Sequence, residues 1–159
     1  MIVAWTGHRP DLFHDPAAAR SAVEAAAREF AGFGVERFVV GGQRGVDTWA
    51  ALAGISLGIA LSLIMPVELD DFTRGWSERD RHVLALIKDQ STDVRIAGGY
   101  AERNRLLATG GDVVVAVWTQ TRGGGTAETI DLARTAGIPV REVVLEPAHI
   151  ARSAHGRGV

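Results

Sequence analysis

One pattern occurs three times in the chain: a short apolar run is followed by a turn rich in glycine or polar residues, and then by a helical pattern. The runs and their turns are 2–5 with 6–10, 38–40 with 41–47, and 113–118 with 121–128. In an open α/β sheet such turns gather at the carboxyl ends of the strands, where ligands bind. Glycine lets backbone N–H groups approach an anion closely, and the following helix directs its positive end there. Three such turns predict a site for a phosphate-bearing ligand, and we favour a nucleotide.

Strand-like and helical patterns alternate along the chain. The patterns predict strands over 2–5, 38–40, 61–65, 94–96, 113–118 and 140–145, and helices over 15–33, 46–57, 100–109 and 126–136, with another helix opening at 77. This alternation predicts an α/β, Rossmann-like doubly wound, mostly parallel sheet of five to six strands with helices on both faces. The length favours a single domain over 1–146, followed by a polar, irregular tail over 147–159. We interpret 67–75 as a plain surface loop, with a mobile flap over the site as the alternative.

Charge and composition narrow the possible partners. The 159 residues carry a formal net charge of −2, so we expect nucleic acid to be an unlikely partner. The chain has no cysteine, and its five histidines show no metal-ligand spacing, so we expect neither a metal nor another cofactor. No apolar run reaches the ~20 residues that span a bilayer, and no basic segment precedes the first strand. We therefore expect a cytoplasmic protein that does not associate with a membrane.

The second turn matches no standard phosphate-binding motif. It lacks the G-x-G-x-x-G spacing of dinucleotide-binding proteins and the Gly-Lys-Ser/Thr ending of a P-loop. Gly41, Gly42 and Gly45 therefore form either a tight strand-to-helix turn or part of the ligand site. Asp47 follows in the first turn of the next helix, where it either complements the helix dipole or accepts hydrogen bonds from a ribose.

The third turn is harder to interpret as a mere connection, because three consecutive glycines cost entropy when they are ordered. Gly123, Gly124, Gly125 and Thr126 stand at a helix N-terminus, where they can offer N–H groups and a hydroxyl to phosphate. Glu128 is either a partner of the helix dipole or a group that reaches the sugar of the ligand.

Further candidates lie in the first turn, on the predicted helix over 100–109 and at the end of the fifth strand. They are Thr6, Gly7, His8 and Arg9 in the first turn, Arg103 and Asn104 on the helix, and Trp118 on the strand. For the arginines and Asn104, the alternative is a solvated surface. Trp118 is the best candidate among the four tryptophans for stacking on a base.

The helix that opens at 77 carries five consecutive apolar residues at 83–87, which nearly encircle it. A surface helix normally keeps one polar face, so this stretch must be covered either by the chain's own loops or by a partner subunit. We expect a homodimer.

Taken together, the ordered motifs resemble a known superfamily. They are Thr6-Gly7-His8-Arg9-Pro10, Gly41-Gly42-x-x-Gly45-Val46-Asp47-x-Trp49-Ala50-Ala51, Tyr100-x-x-Arg103-Asn104 and Gly123-Gly124-Gly125-Thr126. The set is similar to the YpsA-like branch of the SLOG superfamily, whose other branches include the DNA-processing protein DprA and the LOG phosphoribohydrolases. The resemblance implies a Rossmann-like fold that binds nucleotides or nucleotide-derived ligands at these loops.

The LOG enzymes cleave the N-glycosidic bond of nucleoside 5′-monophosphates, and the resemblance implies Arg103 and Glu128 as the catalytic pair. The LOG motif Pro-Gly-Gly-x-Gly-Thr-x-x-Glu places its glutamate where this chain has Thr129, and the proline is missing. Glu128 comes one residue earlier, a rotation of roughly 100° on a helix. We therefore expect ligand binding first, a LOG-like hydrolase as the alternative, and a DprA-like single-stranded DNA-binding module as a second alternative.

Overall fold

A computed structural model of the protein describes residues 1–149. Its strands are β1 (Ile2–Gly7), β2 (Arg37–Val40), β3 (Ala60–Met65), β4 (Asp93–Ile96), β5 (Val113–Trp118) and β6 (Val140–Val144). Its helices are α1 (Pro16–Gly32), α2 (Val46–Ser56), α3 (Leu69–Phe72), α4 (Glu78–Gln90), α5 (Tyr100–Thr109) and α6 (Gly125–Thr135), with a short 3₁₀ turn at Pro10–Leu12. Among these helices, none is long and apolar enough to cross a bilayer.

All six strands of the described chain pair in parallel, in the order β4-β3-β2-β1-β5-β6. The chain builds outward from β1 to β4 and then returns to the other side of β1 to place β5. The strand order therefore reverses between β1 and β5, and a crevice opens at such a point at the carboxyl ends of the strands. The predicted α/β, Rossmann-like doubly wound fold is confirmed.

Two apolar layers cover the sheet, because successive side chains of a strand point to opposite faces. On one face, Val3 and Trp5 of β1 pack with Phe38 of β2 beneath α1, α2 and α4. On the other face, Ala4 and Val114 pack beneath α5 and α6. Strands buried on both faces are nearly continuous apolar runs, which is why β1 and β5 are so readily identified in the sequence.

Helix boundaries follow the capping residues that the sequence predicts. The Asp15 carboxylate accepts a hydrogen bond from the Ala18 N–H at 3.1 Å, and Pro16 is the first helical residue of α1. The Ser77 hydroxyl likewise accepts a hydrogen bond from the Asp80 N–H at 3.1 Å and begins α4.

The segment 67–75 is not the plain surface loop that the sequence suggested. It contains α3, and Phe72 is only 5% exposed because it packs into the main core. The apolar stretch of α4 is also covered largely by the chain itself, since Leu84 and Ile87 are buried while Leu86 remains half exposed. The homodimer stays a prediction. One observation behind it, the apolar stretch of α4, is now explained by packing within a single chain.

Backbone contacts hold Glu146 and the start of the predicted tail. The His14 N–H donates to the Glu146 carbonyl at 2.9 Å, and Phe13 forms an isolated antiparallel bridge with Pro147. The remainder of the tail, 150–159, lies outside the described residues.

The last position of β1 requires glycine, Gly7. A Cβ there would overlap the Val46 side chain and the Val117 carbonyl oxygen. We expect Gly7→Ala to lower the free energy of unfolding by about 3 kcal/mol, because overpacking of a tight contact forces the backbone apart. Gly32→Ala is the control, since a Cβ there meets no described atom within 4 Å, and it should change the stability by less than about 1 kcal/mol. Chemical denaturation measures both, and equal effects would contradict the packing argument.

Candidate functional site

A cleft of about 1080 Å³ opens at the carboxyl edge of the sheet. Its lining comes from the turn after β1, the loop after β5, and the first turns of α2, α5 and α6. These segments surround the point where the strand order reverses, so the cleft lies where a doubly wound sheet binds its ligands.

Most of the predicted site residues meet in this cleft. Those that line it are Thr6, Gly7, His8, Arg9, Asp47, Arg103, Asn104, Gly123, Gly124, Gly125, Thr126 and Glu128. Gly41, Gly42, Gly45 and Trp118 do not line it. The fold thus brings together residues that are up to 122 positions apart in the sequence.

The lining of the cleft includes two buried charged side chains, Arg103 of α5 and Asp47 of α2. The Arg103 side chain is buried, and its Nη1 donates to the Gly41 carbonyl oxygen at 2.8 Å. Burial raises the pKa of Asp47 to about 6, although the nearby Arg103 charge and the Gln43 N–H oppose that rise. Burial also lowers the pKa of Arg103, with the Asp47 charge acting against it. Two opposite charges therefore face each other with little solvent.

Gly41 lies between these two side chains. A Cβ at position 41 would come within 2.8 Å of the Arg103 Nη1 and within 2.9 Å of the Asp47 Oδ2. Glycine at this position permits the close approach of the two charged groups to the backbone. Gly41 thus supports the cleft through its carbonyl oxygen and its missing side chain, without lining the cleft itself.

A hydrogen-bonded chain runs from Arg103 to α6. The Arg103 Nε donates to the Asn104 Oδ1 at 3.0 Å, and the Asn104 Nδ2 donates to the Glu128 Oε2 at 3.1 Å. Glu128 is thereby held with its side chain facing the cleft. Thr129, in contrast, is 1% exposed and bonds back to the Gly125 carbonyl, so the position of the LOG glutamate points into the protein.

The loop before α6 presents backbone to the cleft. Gly123 and Gly124 have φ angles of 86° and 89°, in the left-handed region that favours glycine. No side chain within residues 1–149 caps the N-terminus of α6. Because the first N–H groups of a helix have no partner within the helix, those of α6 are available to a ligand in the cleft that Gly123, Gly124 and Gly125 line.

The turn after β1 contributes a neutral imidazole. His8 is 7% exposed, and its Nε2 lies 3.1 Å from the Thr119 hydroxyl. Burial, assisted by the Arg9 charge, lowers the pKa of His8 below its ordinary value of 6.5. His8 therefore offers a hydrogen bond, rather than a charge, to a ligand at neutral pH.

Three predicted site residues lie behind the wall of the cleft and do not line it: Gly42, Gly45 and Trp118. Cβ atoms at the two glycines would press on the Leu63 side chain and on the His8 carbonyl oxygen, respectively. Trp118 is 3% exposed, and its Nε1 donates to Glu142 at 2.8 Å. In this position the indole supports the wall instead of presenting a face to the cleft.

Sequence reasoning missed several lining residues, among them Gln43 and Tyr100. Tyr100 is 52% exposed and is the aromatic side chain of the described chain that lines the cleft. Its position at the start of α5, three residues before Arg103, could have identified it, because residues i and i+3 share a helix face.

Three arginines converge on the cleft, although the chain as a whole is slightly acidic. Arg9, Arg103 and Arg122 all contribute to its lining. Arg44 and Arg105 do not, and Arg44 instead lies over the Trp76 ring at 4.9 Å. Three carboxylates, those of Asp47, Glu128 and Asp131, also line the cleft, so positive and negative side chains alternate around it.

Comparison with solved structures returns proteins of the same fold. No family model matches the chain, and neither does any curated protein. DNA processing protein A from Helicobacter pylori superposes with a TM-score of 0.66 at 21% identity, covering 99% of this chain and 73% of its own. The molybdenum cofactor carrier protein from Chlamydomonas reinhardtii gives 0.65 at 22%, covering 92% and 78%. The structural genomics target TM1055 gives 0.62 at 22%, covering 87% and 71%.

These neighbours share the fold of this chain. The resemblance stated from the sequence is thus confirmed at the level of the fold, which is what similarity of 21–22% identity shows. The ligand and the chemistry of this chain are separate questions.

The expectation that nucleic acid is an unlikely partner is wrong. The structure of DNA processing protein A from Helicobacter pylori describes a mode of single-stranded DNA binding, on a fold that covers nearly the whole of this chain. The expectation rested on net charge, which does not register how charges are distributed over a surface.

The buried Asp47 carboxyl predicts a specific dependence of stability on pH. Its pKa rises from 3.8 to about 6 on folding, so between these values the folded state binds more protons than the unfolded state. The wild-type free energy of unfolding, relative to that of Asp47→Asn, should therefore fall by about 3 kcal/mol as the pH rises from below 4 to 7. Denaturant titrations of both proteins across this range measure the difference. A difference that stays constant or grows with pH would contradict the assignment.

Proposed function

We propose that the protein binds a nucleotide or a nucleotide-derived phosphate-ribose ligand in the cleft, with its phosphate at the N-terminus of α6. The observation that carries this proposal is the uncapped α6 terminus, which opens into the cleft through Gly123 and Gly124. Free N–H groups and the positive end of the helix dipole together favour an anion at this place.

Two exposed arginines supply mobile positive charge beside that terminus. The Arg9 and Arg122 side chains are 46% and 66% exposed, and each lies 3.7 Å from an aspartate, Asp11 and Asp131 respectively. Exposed pairs of this kind contribute about 1 kcal/mol or less, so either arginine can turn towards a phosphate at small cost. Arg103, whose guanidinium is already hydrogen-bonded within the protein, adds a positive charge in a fixed position.

The remaining groups suit a ribose and a base. The carboxylates of Glu128 and Asp47 line the cleft and accept hydrogen bonds from sugar hydroxyls. Tyr100, exposed at the same cleft, offers an aromatic face for a base to stack on. We infer that Tyr100 takes the stacking role that the sequence suggested for Trp118.

The proposal predicts that binding depends on the phosphate and on the glycine loop. Wild-type protein should bind AMP, CMP, GMP, UMP, NAD or ADP-ribose, and adenosine should bind about tenfold more weakly than AMP or not at all. Gly124→Ala should weaken the binding by about tenfold or more, because alanine disfavours the positive φ that aims the loop at the phosphate. Isothermal titration calorimetry measures both effects.

Gly137→Ala is the matched control for this loop variant. Gly137 follows the other end of α6, has a φ of 76°, and a Cβ there meets no described atom within 4 Å. The two substitutions should cost similar stability, but only Gly124→Ala should affect binding. Equal affinities for AMP and adenosine would contradict the proposal, and so would no binding of any probe.

A second candidate function is hydrolysis of the N-glycosidic bond of a nucleoside 5′-monophosphate. The observation that favours it is the Asn104–Glu128 hydrogen bond, which holds a carboxylate facing the cleft although Glu128 is displaced by one residue from the LOG position. In this reaction the bond between C1′ and the base breaks, and water adds at C1′. The products are the free base and ribose 5-phosphate. Glu128 stabilises the positive charge that develops on the ribosyl ring.

This candidate predicts release of free base by wild-type protein, with a rate about 100-fold lower in Glu128→Gln. Chromatography of AMP, CMP, GMP and UMP incubations detects the base. The amide keeps the size of the side chain and its ability to accept from Asn104, so AMP affinity measured by calorimetry should change little. Equal rates in the two proteins would remove Glu128 from the chemistry, and no base from any of the four nucleotides would leave ligand binding as the function.

A third candidate ligand is single-stranded DNA, favoured by the convergence of Arg9, Arg103 and Arg122 and by the fold shared with DNA processing protein A. The same calorimetric series can include a short oligothymidylate. Binding of single-stranded DNA weakens as the salt concentration rises. The slope of log K against log[salt] is about −0.7 for each phosphate contacted, so several contacts give a steep slope. A mononucleotide, in which the protein contacts one phosphate, gives a shallow slope.

Three further expectations remain our predictions: membership of the YpsA-like branch, the homodimer and the cytoplasmic location.

A further inference from the structure

Three potential metal ligands meet at the protein surface, in a cluster that shares no residue with the cleft lining. They are His14, Glu146 and His149, and one ligand atom from each lies within 4.8 Å of the others. The His149 Nε2 is 3.2 Å from the Glu146 Oε1, and the His14 and His149 rings meet edge to face with centroids 5.5 Å apart. All three side chains are exposed, so an ion in solution reaches them directly.

Backbone contacts hold the two segments that supply these ligands. The His14 N–H donates to the Glu146 carbonyl at 2.9 Å, and the Ala148 N–H donates to the Leu12 carbonyl at 3.1 Å. Between them, Phe13 bridges Pro147, and the Phe13 side chain is buried at 3% exposure. The cluster therefore stands on a fixed scaffold, and only side-chain rotations are needed to change the distances between its ligand atoms.

We propose that His14, Glu146 and His149 form a zinc-binding site, with water as the fourth ligand. Two imidazoles and one carboxylate are a ligand set that suits Zn²⁺, which binds nitrogen and oxygen at about 2.0–2.2 Å in a tetrahedral arrangement. Tetrahedral ligands at that radius lie about 3.3 Å apart. The His149–Glu146 pair already has this spacing, and no separation in the cluster exceeds it by more than about 1.5 Å, which side-chain rotation can close.

Sequence patterns do not indicate this site, because its ligands do not follow a local metal-binding pattern. Glu146 and His149 are three residues apart, whereas His14 comes from the loop before α1. Bound zinc joins the chain after β6 to the segment after β1, whose 3₁₀ turn ends at Leu12, a residue of the cleft lining. The ion therefore acts as a clamp on one wall of the cleft.

A matched control exists on α4. His82 and Glu78 also form an exposed pair, with His82 Nε2 3.7 Å from Glu78 Oε1, but no third ligand accompanies them among the described residues. If an exposed His–Glu pair were enough to hold zinc, this pair would contribute as much as the proposed site. His82→Ala therefore separates a built site from general surface binding.

The test is titration of the tag-free protein with ZnCl₂ by isothermal calorimetry. Wild type and His82→Ala should bind one ion with equal affinity, whereas His14→Ala, Glu146→Gln and His149→Ala should each weaken binding by about tenfold or more. Zinc should raise the melting temperature of wild type and of His82→Ala only, because an ion that binds the folded state stabilises it. All five proteins should melt at similar temperatures in EDTA, which checks that the variants fold.

Co²⁺ gives an independent readout of the ligands. Four-coordinate Co²⁺ absorbs strongly in the visible range, and we expect this band in wild type and His82→Ala but not in His14→Ala. Stoichiometric binding that survives His14→Ala, or that falls equally in His82→Ala, would overturn the proposal. The same holds if wild type binds no Zn²⁺. None of these results depends on whether the cleft binds a nucleotide, so this proposal stands or fails apart from the proposed function.

Discussion

The cleft is organised around the buried guanidinium of Arg103. One of its nitrogens donates to the Gly41 carbonyl at the end of β2, another donates to the Asn104 side chain, and Asp47 faces it from α2. Removing such a charge from water is costly unless it is paired and hydrogen-bonded, so its partners must stay in place. Arg103 is therefore hydrogen-bonded to the residue that follows β2 and to its neighbour on α5, and its charge interacts with that of Asp47 in the first turn of α2.

The same guanidinium reaches α6 through side chains. Asn104 is bonded to Arg103 on one side and to Glu128 on the other, so the orientation of the Glu128 carboxylate depends on a residue of the neighbouring helix. Against this fixed side of the cleft stands the loop of Gly123 and Gly124, which leaves the α6 N-terminus uncapped. An uncapped helix end in a cleft that three arginines line is a favourable place for an anion.

For a ligand in the cleft, the positions of the charged side chains matter more than the net charge of the chain. The chain is acidic by two charges, yet Arg9, Arg103 and Arg122 line one cleft. Screening in salt limits the reach of an exposed charge to about 10 Å, so a ligand in the cleft responds to these arginines and to the lining carboxylates of Asp47, Glu128 and Asp131, and hardly at all to more distant charges. A conclusion about partners drawn from net charge alone was therefore unsafe.

Much of the fold could be predicted from the sequence, because periodicity and capping are local properties. The apolar runs of β1 and β5, the Asp15 cap of α1 and the alternation of strands with helices all identify a doubly wound parallel sheet. Segment 67–75 escaped prediction because only its packing against the core, through Phe72, makes it ordered. Five apolar residues in a row on α4 likewise did not reveal which neighbours cover them.

For the site, the sequence determined the residue types and the turns that carry them, since glycine-rich strand ends are recognisable without a partner. Tertiary structure decided which of those residues share a surface. It placed Arg103 against Gly41 across 62 positions of sequence, directed Glu128 to the cleft and Thr129 to the interior, and put Trp118 behind the wall where Tyr100 is exposed. It also brought His14 to Glu146 and His149. The physical reason is that hydrogen bonds, burial and metal-ligand geometry depend on distances in space, and those distances arise only when the strands pair and the helices pack on them.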